Sequence, residues 1–462
     1  MSRRPLTRRE FLRGAAGAAG LALASCTGGG AIRHYVAPFG ESGIGAAAMR
    51  LDTRWPIKRV VYLMMENRSF DQLFGRFPGA NGATVGVRDG KEVPMIRTPQ
   101  WLPGDLPHDP VAALDAVNGG RMDGFARGPV GEYYAYSQYA EQDVRNYWAW
   151  AREYVLCDNF FASVLGPSHP NHLFSVAGQS GGAYDNPHHL HRVPGQRAQA
   201  WGCDTNADAY VPVLDSQGGE SHHSTCFDFP TVGDQLSAKG IGWASYAATP
   251  AQTGYIWNVY SAIGHVFHTE LWRKHVKSID ALHADIERGA LPSVTWITPR
   301  YELSDHPPWS TCFSQNWVTG VVNALMRSPM WKSMALFVTW DEWGGFYDHV
   351  VPPKVDRLGL GIRVPMLLMS PYARKGYIDH AVGEFSSPLR FVADNWGLRY
   401  LTDRIANTHN FEHAFDFKSR PRDPVVLSAI DDCDGRSPYE FFRDHRDWPR
   451  SLWHVPGWWQ NH

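Results

Sequence analysis

Two pairs of oxygen-bearing side chains, Glu66-Asn67 and Asp341-Glu342, each stand at the end of an apolar run, and a serine lies between them in the chain. That serine is Ser168, in Gly166-Pro167-Ser168-His169-Pro170-Asn171-His172. Carboxylate and amide oxygens are hard donors, and two such pairs meeting at one point suit a divalent cation. A hydroxyl within bonding distance of that cation would ionise and become a nucleophile. Each pair alone reads equally well as a helix cap or half of a salt bridge, and Ser168 could cap a helix that starts at Pro170. The two readings of Ser168 are compatible, because a helix N-terminus also favours an arriving phosphate.

Convergence of these residues needs elements that carry them to one place. Arg59-Val60-Val61-Tyr62-Leu63-Met64-Met65 is a continuous apolar run that stops abruptly at Glu66-Asn67-Arg68, the pattern of a buried strand with polar groups at its carboxyl end. Met334-Ala335-Leu336-Phe337-Val338-Thr339-Trp340 before Asp341-Glu342 repeats it. Ser293-Val294-Thr295-Trp296-Ile297-Thr298 and Val364-Pro365-Met366-Leu367-Leu368-Met369-Ser370 are two further runs, and the four together predict a parallel sheet. Between them, residues 316–326 set Val318, Val321, Val322 and Leu325 on one face of a helix, and Thr231 can cap a second helix reaching Ala238. Strands alternating with helices predict an α/β fold whose ligands gather outside the carboxyl ends of the strands. Residues 180–228, rich in Gly, His, Pro and Asp, predict a long excursion over that face.

Met65-Glu66-Asn67-Arg68-Ser69-Phe70-Asp71-Gln72-Leu73-Phe74-Gly75 resembles the opening signature of the phosphoesterase family of bacterial and plant non-specific phospholipases C and periplasmic acid phosphatases. The likeness recurs in Leu106-Pro107-His108-Asp109, Gly120-Arg121-Met122-Asp123-Gly124-Phe125, the Ser168 turn, Ser304-Asp305-His306-Pro307 and Asp341-Glu342-Trp343-Gly344-Gly345-Phe346-Tyr347-Asp348-His349-Val350. It implies an alkaline-phosphatase-like three-layer α/β/α sandwich with a mostly parallel central sheet and long active-site loops. It further implies one divalent metal ion on Glu66, Asn67, Ser168, Asp341 and Glu342, and a phosphorylated nucleophile at Ser168. His108 and His306 would bind the phosphoryl oxygens or protonate the leaving group. His349 belongs to the same set, either there or as an architectural ring that satisfies loop carbonyls. Many members carry Thr at the Ser168 position, and either hydroxyl can attack phosphorus. Trp343 stands where His or Asn often follows the acidic pair, and its ring is expected beside the metal, reshaping substrate access.

The expected activity is phosphoric ester hydrolysis, with a phospholipid (phospholipase C) or a small phosphomonoester (acid phosphatase) as substrate. Two rivals come from other classes. Gly178-Gln179-Ser180-Gly181-Gly182 fits the nucleophile elbow of a metal-free serine esterase, with Leu173-Phe174-Ser175-Val176-Ala177 as its strand. A non-catalytic protein could use the same pocket to hold a phosphate-bearing ligand, and loss of Ser168 would have been its mark.

The amino-terminal residues bear on where this chemistry happens. Thr7-Arg8-Arg9-Glu10-Phe11-Leu12-Arg13 before a short apolar run matches a signal for the twin-arginine export machinery, and the run is too short to span a bilayer. Leu23-Ala24-Ser25-Cys26 resembles a lipobox, which would lipidate Cys26 and tie the protein to a membrane; ordinary cleavage nearby is the alternative. The expected organisation is a signal over 1–26, a Gly/Ala-rich tether over 27–55 and one catalytic domain over 56–455, in the periplasm or cell envelope, lipid-anchored or secreted. A formal charge of −2 gives no electrostatic case for nucleic acid as a partner. Export permits disulfides: Cys203 and Cys226 are the expected bridge, and Cys157, flanked by Val155 and Leu156, a buried free thiol.

Overall fold

Strand β1, Arg59–Met65, is buried along all but its first residue, which requires neighbours on both edges and both faces. In the computed structural model, which describes residues 52–193 and 195–435, seven further strands supply the edges. They are β2 (Val155–Cys157), β3 (Trp243–Ala247), β4 (Val276–Ser278), β5 (Val294–Ile297), β6 (Met334–Trp340), β7 (Met366–Met369) and β8 (Tyr377–Asp379). Their spatial order is β4-β3-β5-β1-β6-β7-β2-β8. Tyr62 of β1 sits between Trp296 of β5 and Phe337 of β6, both parallel to it, so Glu66 and Asp341 leave the sheet side by side.

One strand departs from expectation. The run from Val364 to Ser370 forms β7, which is antiparallel to both of its neighbours, β6 and β2. No helix crosses back between Trp340 and Met366, so the chain re-enters the sheet from the end at which it left. Apolar content marks a buried strand but carries no direction.

Helices cover both faces. They include α1 (Phe70–Phe74), α2 (Arg145–Glu153), α3 (Ser168–Ala177), α4 (Val232–Ala238), α5 (Thr311–Arg327) and α6 (Ser386–Trp396). Adjacent β6 side chains alternate between the faces: Trp340 meets Tyr147 of α2 at a ring separation of 5.2 Å, and Phe337 meets Phe391 of α6 at 5.6 Å. Helix α5 packs with α2 on the first side, while α3 packs with α4 and α6 on the second. The expected α/β/α sandwich with a mostly parallel sheet is therefore the fold. Among the described residues no helix is long and apolar enough to cross a membrane.

The expected signal, Cys26 and most of the tether lie outside the described residues, as does the chain beyond 435. Trp55, the last residue of the expected tether, stacks on Phe391 at 4.6 Å and on Phe417 at 5.5 Å. Cys203 and Cys226 are bridged, and Cys157 is free and buried. A second bridge, Cys312–Cys433, ties the start of α5 to the carboxyl-terminal segment. The 180–228 excursion is not wholly irregular, since Val211–Leu214 and Glu220–His223 pair as a hairpin.

The cap of α4 makes one stability prediction. Thr231 accepts a hydrogen bond from the Asp234 amide, and the Asp234 carboxylate accepts one in return from the Thr231 amide. His265 lies between Asp234 and Asp228, at 3.0 and 2.7 Å. The Asp234 hydrogen bond first, against partial burial and with help from Asp228, raises the imidazole from 6.5 to about 9. A raised histidine stabilises the fold fully below its unfolded pKa and ceases to do so as pH rises through its folded one. His265→Ala should therefore lower the melting temperature most below pH 6.5, with the difference from wild type shrinking as pH passes about 9. Partial exposure keeps the contribution below about 1 kcal/mol.

Candidate active site

The strand ends at Met65 and Trp340 deliver four polar side chains to one point, and all four are fully buried: Glu66, Asn67, Asp341 and Glu342. The Asn67 amide N–H donates to Asp341 Oδ1 at 2.9 Å, locking the two strand ends together. Asn67 has a φ of 61°, a left-handed turn that swings its side chain inward, and asparagine is among the few residues that accept it readily. Glu342 Oε2 accepts the Gly344 N–H at 2.9 Å.

Gly344 has a φ of 64°, and a Cβ there would stand 2.3 Å from the Asn67 carbonyl oxygen. Gly344→Ala should push Asn67 and Glu342 apart and cost on the order of a hundredfold in turnover, by the rule that small misplacements near a reacting group are expensive. Steady-state kinetics together with circular dichroism checks this, with the spectrum expected to match wild type.

Ser168 is the first residue of α3, whose cap is Pro167, so the serine sits within the first turn rather than before it. Pro170 falls in that same turn, where its missing N–H costs nothing. The turn is held from inside by Asn171, whose Nδ2 donates to the carbonyls of Gly166 and Pro167 at 3.1 Å while its Oδ1 accepts the Val164 N–H at 2.9 Å. Trp296 of β5 donates its indole N–H to the Ser175 carbonyl at 2.8 Å, fixing the helix to the sheet. The result is a buried hydroxyl donating to Glu66 Oε2 at 3.4 Å.

One turn further along α3, His172 places Nε2 2.9 Å from Glu66 Oε1 and 3.7 Å from Asp341 Oδ2. Sequence reasoning gave it no role. The signal was its spacing of four from Ser168, which on a helix sets both side chains over one face. Burial holds this ring well below its usual range, at about 4, so it is neutral.

Three oxygens in this group are buried with no hydrogen-bond partner: Asn67 Oδ1, Asp341 Oδ2 and Glu342 Oε1. Burial, and then Asp341 and Glu342, push the Glu66 carboxyl well above the usual carboxylate range, and burial does the same to Glu342. Buried acids that repel one another and present unpaired oxygens are costly unless a cation joins them, and this donor set fits a hard divalent ion.

His108 and His306 stand across from the acids with ring centres 5.8 Å apart. Each turns Nδ1 to a backbone carbonyl, Leu106 and Pro307, at 2.6 Å, which leaves Nε2 for a ligand. Asn67 Nδ2 lies 3.3 Å from His108 Nε2. Burial works against protonation at both rings, but at His108 Glu342 and Asp105 outweigh it and raise the pKa to about 9. At His306 burial wins and the pKa falls. Beside the same acids the two imidazoles are thus shifted in opposite directions.

Two expected residues go elsewhere. His349 spends both nitrogens on the protein, Nδ1 on Asp71 at 2.6 Å and Nε2 on Asn81 Oδ1 at 3.1 Å, within the buried Arg363–Asp71–Asp348 network. These partners are side-chain oxygens rather than loop carbonyls. Trp343 is buried, with 1% exposure. It packs against Phe125, with ring centres 5.4 Å apart, in a cluster that includes Leu106, Met122 and Phe346. Ser180 is no elbow nucleophile, because the residues before it are helical rather than extended and its buried hydroxyl donates to the Ala183 carbonyl at 2.7 Å.

A sequence model of the phosphoesterase family matches residues 57–399. The hemolytic phospholipase C of Pseudomonas aeruginosa is 26% identical over 418 residues, covering 76% of this chain and 54% of the relative. The non-hemolytic phospholipase C of Burkholderia pseudomallei is 28% identical over 462 residues, covering 85% and 61%. The chain thus spans little more than half the length of these bacterial relatives. Among solved structures, a protein of the alkaline phosphatase superfamily from Vibrio parahaemolyticus aligns over 77% of this chain and 69% of its own, at 10% identity and a TM-score of 0.37.

Proposed function

The chain belongs to the phosphoesterase family, and from that premise we propose that it is a metal-dependent phosphoric ester hydrolase acting as a phospholipase C, with Ser168 as its nucleophile. The observation that carries this reading is the trio of unpartnered buried oxygens on Asn67, Asp341 and Glu342, set beside a serine hydroxyl that leans on Glu66. Glu66, Asn67, Asp341 and Glu342, with the Ser168 hydroxyl, would hold one divalent ion. When bound, that ion supplies charge that ionises the serine and neutralises phosphoryl oxygens.

The chain's own residues do the rest. Glu66 Oε2 orients the Ser168 hydroxyl and can accept its proton, and His172 holds the opposite Glu66 oxygen so that the carboxylate cannot turn away. The first turn of α3 offers its N-terminal dipole to the phosphoryl group. His108 can bind a phosphoryl oxygen or, when protonated, give its Nε2 proton to the departing alkoxide. Neutral His306, whose Nδ1 proton goes to the Pro307 carbonyl, can accept a hydrogen bond or a proton at Nε2. Attack by Ser168 releases diacylglycerol from a phospholipid, and water then cleaves the phosphoserine, so one difficult displacement becomes two easier ones. Preorganised charge around the phosphoryl oxygens is the largest expected contribution.

Phospholipid is the favoured substrate because curated relatives named phospholipase C align over most of this chain. Export through the twin-arginine route, with Cys26 lipidated, would set the enzyme at a membrane surface. The test compares hydrolysis of an aryl phosphorylcholine diester with that of an aryl phosphate monoester, before and after chelation and metal restoration. Diester turnover that vanishes with chelator and returns with metal supports the proposal. Strong monoester turnover with little diester cleavage moves the substrate to phosphomonoesters on the same residues. Cleavage of neither ester overturns the reading.

A further inference from the structure

At the outer edge of the sheet, away from Ser168, Asp379 closes β8 with its carboxylate buried to 1% exposure. The segment His409-Asn410-Phe411-Glu412-His413 lies against it and presents two imidazoles whose centres are 4.5 Å apart. Asp379 Oδ1 is satisfied, by His413 Nε2 at 2.9 Å and by the Ala381 N–H at 3.0 Å. Asp379 Oδ2 is not: it has no hydrogen-bond partner, and His409 Nε2 stands 3.4 Å from it. That same nitrogen receives the Phe411 N–H at 3.1 Å, which makes it an acceptor. The Asp379 oxygen and the His409 nitrogen therefore stand 3.4 Å apart with the nitrogen's one lone pair turned to the Phe411 N–H, and a cation that took over that lone pair would bond both groups.

The rings are also held in place. Phe411 between them is 1% exposed and packs on Phe337, with ring centres 5.3 Å apart. His409 meets the edge of the Phe411 ring at 5.1 Å, and His413 meets Tyr377 of β8 at 6.0 Å. One ligand atom from each of Asp379, His409 and His413 lies within 4.8 Å of the others.

We infer that Asp379, His409 and His413 form a second divalent-cation site, separate from the one at Glu66, that takes a metal of Zn²⁺ type. Two imidazole nitrogens and one carboxylate oxygen suit Zn²⁺ far better than Ca²⁺ or Mg²⁺, which prefer all-oxygen sets. The His413 side chain is 44% exposed, so the fourth position opens to water. The ion would pin the edge strand to the 408–414 segment and so act on stability rather than on the reaction.

The experiment strips the full-length protein with chelator, equilibrates it with Zn²⁺, removes free metal and counts bound metal per chain by plasma mass spectrometry. Wild type is compared with His413→Ala and His409→Ala. Each variant should hold one Zn²⁺ fewer per chain than wild type, lose the Zn²⁺-dependent rise in melting temperature, and keep its turnover of aryl phosphate esters. In Co²⁺-loaded protein, one set of visible absorption bands should disappear with the same substitutions. The difference between wild type and variant does not depend on how many ions the Glu66 site binds, so failure of the proposed hydrolase reading leaves it intact. Equal metal content in wild type and both variants, or a wild type that retains no Zn²⁺ sensitive to either substitution, overturns the second site.

Discussion

Replacing Ser168 by Ala should reduce phosphoester turnover by about four orders of magnitude or more, the scale on which removal of a covalent nucleophile falls. The two serines that follow it in the chain, Ser175 and Ser180, donate to backbone carbonyls and are committed. The loss should appear in kcat with little change in KM, because the remaining residues still bind the phosphoryl group. Ser168→Thr should restore much of the rate, as its hydroxyl can take the same place at the start of α3. The melting temperature of Ser168→Ala should stay within a few degrees of wild type, since its one recorded side-chain hydrogen bond is 3.4 Å long. A rate within tenfold of wild type would assign the nucleophile elsewhere.

The second large effect concerns the acidic cluster. Asp341→Asn is nearly isosteric, and the amide oxygen can still accept the Asn67 N–H that now reaches Oδ1 at 2.9 Å. What it removes is one charge from a set whose members already push Glu66 and Glu342 well above the carboxylate range. In the presence of metal the variant should bind the ion at least about a hundredfold more weakly, with turnover falling in step, as loss of a ligand exceeds the cost of losing an outer contact. After chelation the order of stability should reverse. Metal-free wild type carries three mutually repelling buried acids, whereas metal-free Asp341→Asn carries two, so the variant should melt higher. Paired melting curves with and without chelator check this. Destabilisation of the variant under both conditions would mean that Asp341 serves the fold rather than an ion.

The sequence made some of this site legible and hid the rest for physical reasons. A buried strand ending in two polar residues is a strong local pattern, so β1 with Glu66-Asn67 and β6 with Asp341-Glu342 were readable at their boundaries. The Gly166-Pro167-Ser168 turn was equally visible, because rigid residues advertise a fixed backbone. The direction of β7 was not, since it depends on the missing crossover between Trp340 and Met366. Side-chain direction was hidden too. Trp343 follows the acidic pair directly, yet it turns into the cluster with Phe125, as the chain twists through Gly344 at a φ of 64°. His349 sits in a motif rich in site residues but is drawn to Asp71, a partner far away in sequence. His172 was overlooked for the opposite reason: it stood in plain view, and only the helix starting at Ser168 shows that both side chains face Glu66. Long-range pairings such as Cys312–Cys433 leave no local trace at all.

Passage of phosphorus through Ser168 is tested by trapping it there. Metal-loaded enzyme mixed with an excess of an aryl phosphate ester is quenched in acid within the first turnovers, digested, and analysed by mass spectrometry of the peptide spanning Ser168. A phosphoryl group is expected on Ser168, appearing with a burst of aryl alcohol and absent when metal is withheld. Full turnover with an unmodified Ser168 peptide and no burst would contradict it, and would point instead to direct attack by water at the same cluster of acids.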